Sequence, residues 1–293
     1  MIEHEYLKNL ITIEKKFYSQ AIQKYYFPSD ISSGLIIDRE KDILKMFLDN
    51  KEEISDVGTL LEYVLNAYIS YASYSLISLD NKVLARECFS IICNYNKLYQ
   101  EFLTLSNECF NTVPNISQEN LCLFLTLPIL LENRFSYNSS IEDSLLKILE
   151  QQEKDGNEFR EPFKFVLALY SEKSFSQKSL SYPYSTIYKE YDLLDLNKVD
   201  AYIYILCDMH LELTKEKEFF SEFHTKVFPY EVLFWLKIRE MQELKNPSKF
   251  EHPLMNTSLV KLFLEKDDFV PMNIEYIEKL ILKLNEKCLQ TKS

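Results

Sequence analysis

Apolar residues recur at three- and four-residue intervals along almost the whole chain, and this habit constrains the fold more than any other feature. Leu61, Val64, Leu65, Tyr68, Ala72 and Leu76 form one stripe, with Glu62, Asn66, Ser70 and Ser73 lying off it. That is the pattern of an amphipathic helix. Leu84, Cys88, Ile91, Tyr95, Leu98 and Phe102 continue the rhythm, and Asp80 offers an N-cap for this second helix. Two long helices joined by a short turn predict an antiparallel hairpin.

Other helix starts carry similar chemistry. Ser117 precedes Gln118 to Arg134, Ser140 with Asp143 resembles a capping box, and Asn197 precedes Val199 to Leu213. Pro162 and Pro229 each suit a first turn, where the missing N–H costs nothing. Pro128 lies inside an apolar run and is expected to kink or split its helix. Strand alternation and hairpin turns are absent, so the expected class is all-α, about 70% helix without sheet. The antiparallel hairpins would pack as one extended domain or as two closely packed halves, 1–175 and 176–293. The boundary falls in the loop Ser171 to Pro183, where no Gly/Ser linker announces it.

Composition excludes more chemistry than it offers. The three glycines, Gly34, Gly58 and Gly156, are too scattered for a phosphate cradle, a dinucleotide turn or a nucleophile elbow. A formal charge of −12, from 45 acidic and 33 basic residues, repels nucleic acid and anionic lipid and favours a basic protein partner. Cys207 and His210 share a helix at metal-ligand spacing, but no second pair of suitable spacing completes a zinc site. No paired Glu-x-x-His or His-Glu-x-x-His motif occurs, so no metal or organic cofactor is expected and the chain reads as non-enzymatic. A charged N-terminal segment and the lack of a long apolar run point to a cytoplasmic protein without a membrane span. Its six cysteines would then be reduced thiols without disulfides.

Carboxylates concentrate in two stretches. Asp30 to Glu62 and Lys189 to Glu222 each hold nine acidic residues against four basic ones. The second stretch follows the longest expected loop, and the candidate partner-binding residues are drawn from the end of that loop and the start of the stretch: Tyr182, Tyr184, Tyr188, Asp192 and Asp195. Tyr188, Asp192 and Asp195 are spaced to share one helix face, placing an aromatic anchor beside steering carboxylates.

Two resemblances bear on function. The segment Glu251-His252-Pro253-Leu254-Met255-Asn256-Thr257-Ser258-Leu259, followed by Leu262 to Phe269, Val270-Pro271 and a closing helix from Asn273, resembles the C-terminal end of the Imm49 immunity proteins of bacterial polymorphic toxin systems. The hairpin Tyr68 to Tyr99, with Leu79-Asp80 at its turn, is similar to the middle hairpin of that family. The resemblance implies an all-helical cytoplasmic protein that binds a cognate toxin and blocks it. This chain is poorer in alanine and glycine than many members and richer in Tyr, Phe and Asn, so no binding residue is carried over. Tyr71 to Tyr99 also resembles a tetratricopeptide hairpin, with Ala85 and Phe89 four apart, although no 34-residue repetition follows. That likeness implies a helical scaffold or peptide-binding regulator as the alternative.

Overall fold

The stripe from Leu61 to Leu76 lies in helix α1 (Ile54–Ile77), and the stripe from Leu84 to Phe102 lies in α2 (Lys82–Cys109). The computed structural model describes residues 5–12, 54–109, 117–132, 160–170, 180–215, 226–265, 269 and 275–291. Among these every regular element is helical and no strand occurs, as the periodicity requires. The expected cap at Ser140 and three further stretches whose composition predicts loops, 28–34, 111–115 and 155–158, lie outside the described residues.

α1 and α2 pack as the expected antiparallel hairpin, with the Tyr68 and Tyr95 rings stacked 6.1 Å apart. They are in tight contact at Gly58, where an added methyl carbon would lie 2.6 Å from the buried Phe102 ring. Glycine is needed there for contact, not for backbone freedom. The cap of α2 differs from expectation. Asp80 takes a left-handed conformation, φ 50°, and the Asn81 side chain accepts from the Leu84 N–H at 3.0 Å. Aspartate tolerates that conformation better than most residues, so it turns the chain and hands the cap to its neighbour.

Helix α3 (Gln118–Glu132) is capped by Ser117 as expected, its hydroxyl accepting from the Asn120 N–H at 3.1 Å. Pro128 does not split it. Leu121, Leu125 and Leu127 around the proline are fully or almost fully buried, and α3 packs on α2, on α4 (Glu161–Tyr170) and on α7 (Tyr230–Met241). Burying several such side chains outweighs the roughly 3 kcal/mol that an internal proline costs. Pro162 sits in the first turn of α4.

After α4 come α5 (Tyr184–Lys189), α6 (Leu196–Leu213) and α7, then a 3-10 turn (Pro253–Asn256), α8 (Ser258–Leu264) and α9 (Glu275–Thr291). Nearly all of α7 is buried, from Tyr230 through Leu236. Such a helix is a central element, and any polar side chain on it needs an internal partner. α7 contacts α3, α4, α6 and α8, while α9 lies along α2 and α8 against α1. Phe89 of α2 meets Phe263 of α8 edge-on at 4.8 Å. The line at 175/176 therefore crosses one continuous apolar core.

One half-buried carboxylate in the hairpin gives a pH signature. Glu62 accepts from the Tyr99 hydroxyl at 3.3 Å, yet burial pushes its carboxyl up to about 7 from the usual 4.5, with the Tyr99 bond opposing. Between those two values the folded protein keeps a proton that the unfolded chain releases, so stability falls as pH rises through this window. The decline should be on the order of 2 kcal/mol after allowance for solvent. Glu62→Gln should flatten it, giving a variant more stable than wild type at pH 8 and equal to it near pH 4; urea melts at the two pH values measure this.

Candidate functional site

Tyr188, Asp192 and Asp195 do not form the single helical face expected of them. Helix α5 ends at Lys189, so Asp192 lies in the following turn and Asp195 is the N-cap of α6. Asp195 accepts from the Asn197 N–H at 3.0 Å and the Lys198 N–H at 3.4 Å, taking the role expected of Asn197. Tyr184 is a correction. It is 0% exposed, with its ring 5.3 Å from that of Phe165, and no partner reaches it in the folded chain. Its position opens α5, which rests on α4, so its side chain points into the core. Tyr188 is half-buried and stacks on Tyr191 at 6.3 Å. Tyr182 is 74% exposed, and Asp192 and Asp195 are exposed as well.

What unites the stretch is a buried arginine on α7. Arg239 is 0% exposed. Its guanidinium donates from Nη1 to the Tyr191 carbonyl at 2.8 Å, from Nη2 to the Leu193 and Lys245 carbonyls at 2.8 and 2.9 Å, and from Nε to Asn246 Oδ1 at 3.0 Å. Asn246 returns a bond from Nδ2 to the Leu236 carbonyl at 2.8 Å. Trp235, one turn earlier, donates its indole N–H to the Tyr191 carbonyl at 3.1 Å and lies 5.7 Å from the guanidinium. Burial pulls the Arg239 guanidinium below its usual range, and nearby Asp192 opposes this. The turn from Glu190 to Asp195 is thus fastened to the central helix through its backbone.

The fastening leaves the turn's side chains on the surface. Leu194 is 78% exposed and Leu196 is 36% exposed, between and beside Asp192 and Asp195. Glu190 at the base of the turn is neutralised by Lys198 at 2.6 Å and accepts from the Tyr202 hydroxyl at 2.6 Å. Sequence reasoning found the two aspartates but missed Leu194, Trp235 and Arg239. The available signal was an arginine four residues after the chain's one tryptophan, in a helix whose Val232–Leu236 run is wholly apolar.

A second polar group lies deep in the core. His210 Nδ1 of α6 and Glu231 Oε1 of α7 are 2.8 Å apart, both side chains fully buried. Among the described residues no group of three or more His, Cys, Asp or Glu is placed to hold a metal ion. Burial pushes the Cys122 and Cys207 thiols well up, Glu231 adding to the effect at both. A nucleophilic cysteine needs the opposite shift. The acidic pair Asp267-Asp268 lies outside the described residues.

The His-Pro-Leu segment has a structural task. His252 is buried, and its Nδ1 accepts from the Leu254 N–H at 3.1 Å, capping the 3-10 turn. The proton is therefore on Nε2, which donates to Asp208 Oδ1 at 3.1 Å. Cys88, Cys93, Cys122 and Cys207 are not in disulfides, but Cys288 is disulfide-bonded, against the expectation of six reduced cysteines. That expectation rested on compartment, whereas a disulfide is decided by which residues the fold brings together. No helix among the described residues is long and apolar enough to cross a membrane.

No protein-family model, curated protein or solved structure matches the chain.

Proposed function

We propose that the chain is a non-enzymatic immunity protein that binds a basic toxin domain through the turn at Asp192 to Asp195 and blocks it. The observation that carries this reading is the clamp under the turn. A fully buried Arg239 bonds to the Tyr191 and Leu193 carbonyls and so presents two exposed aspartates on a fixed backbone. Pre-organisation of this kind lowers the ordering cost of binding, and the carboxylates speed encounter with a basic partner. The resemblance of the Glu251 to Leu259 segment to immunity proteins supports the same reading. A repeat scaffold is less well supported, because α1 and α2 run 24 and 28 residues whereas α7 and α8 run 12 and 7. The cytoplasm is the proposed site of action, which requires the Cys288 disulfide to form or persist against a reducing thiol pool.

The test is co-expression with any basic toxic domain found encoded beside this gene. Cells should survive, and the two proteins should co-purify in equal amounts. Asp192→Lys with Asp195→Lys should slow association about tenfold at low salt, and by progressively less as salt rises. An association rate that is unchanged at low salt would remove this turn from the interface.

A further inference from the structure

Resting on the proposal that this chain acts by binding a protein, we infer that Leu194 is the apolar anchor of the interface. It enters an apolar pocket rimmed by lysine or arginine on a basic partner. Three observations lead there. Leu194 is 78% exposed although its own backbone carbonyl neighbour, Leu193, is tied to a buried guanidinium at 2.8 Å. An exposed leucine on a loose loop gains nothing from exposure and loses entropy on docking; one on a fixed turn has lost most of that entropy already.

Tyr182 and Leu196 are further large apolar side chains exposed within the same short stretch of sequence, so Leu194 is not a solitary surface leucine. The charges select the partner. Glu190 is met by Lys198, whereas Asp192 and Asp195 flank Leu194 at the surface, Asp195 spending part of its charge on the α6 N-terminus. An apolar knob with an acidic rim complements an apolar hole with a basic rim. With a net charge of −12 the chain as a whole disfavours anionic lipid and nucleic acid as the occupant.

A photo-crosslinking benzoylphenylalanine at position 194, with the comparably exposed position 289 as control, tests this in cells of the source organism. Position 194 should capture one basic protein and position 289 should not. The captured protein, purified, should bind wild type and shift the emission of Trp235, whose indole bonds to the Tyr191 carbonyl beneath the turn. Leu194→Ala should weaken that binding about tenfold or more, mainly through faster dissociation. Leu194→Met, which keeps the apolar volume, should retain most of the affinity. Capture of a basic protein other than the neighbouring toxin, with the same loss in Leu194→Ala, sustains the anchor and removes the immunity reading. Capture of an acidic protein, equal capture from 289, no capture from 194, or wild-type affinity in Leu194→Ala overturns the anchor and leaves the co-expression result to judge the immunity reading.

Discussion

Replacing Arg239 by methionine should destabilise the protein by about 3 to 4 kcal/mol, the largest single-residue effect expected here. The variant keeps the apolar volume but strips donors from the Leu193 and Lys245 carbonyls and from Asn246, while Tyr191 keeps only the Trp235 N–H. For a chain of 293 residues this corresponds to a drop in melting temperature on the order of 10 °C. Arg239→Lys should recover little, because one ammonium cannot span four acceptors arranged around a planar fork. Trp235 emission should shift to the red in both variants below their melting points, as water reaches the opened turn. A methionine variant that melts within about 2 °C of wild type would show that the clamp does not hold the turn.

The His210–Glu231 pair predicts a different pattern. Both side chains are fully buried, so His210→Leu leaves a carboxylate without its donor, and Glu231→Leu leaves the imidazole without its acceptor. Each single variant should cost about 3 kcal/mol. The double variant should cost clearly less than the sum, with a coupling of about 2 kcal/mol, because replacing both polar groups removes the unsatisfied partner. A double-mutant cycle from denaturant melts gives the number directly. Additive losses would mean that the two groups stabilise the fold independently of their contact.

These two predictions also mark how far sequence could see. The caps at Ser117 and the first-turn proline at Pro162 were legible, since each involves groups only a few residues apart. Asp80 and Asn197 were read as caps one or two positions away from the residues that perform the task, Asn81 and Asp195. The residue types were right, but which of two nearby polar side chains caps depends on local backbone conformation, and at Asp80 φ is left-handed. At the candidate site the two aspartates were legible as a charge cluster. Tyr184 and Tyr188 were not separable, because both are tyrosines in the same short helix and only contact with α4 buries the first.

What the sequence by itself determined is the all-helical class and the antiparallel α1–α2 hairpin, together with a formal net charge of −12. All of these follow from the three-to-four periodicity and the summed side-chain charges, which are local or additive properties. Tertiary structure decided which polar residues are internal: Arg239 under a turn whose acceptor lies 48 residues away, His210 against Glu231, and Cys288 in a disulfide. The reason is physical. A helix face states only that a side chain is turned inward, while its partner is chosen by how distant helices pack, and a buried polar group is tolerated only where that packing supplies the partner.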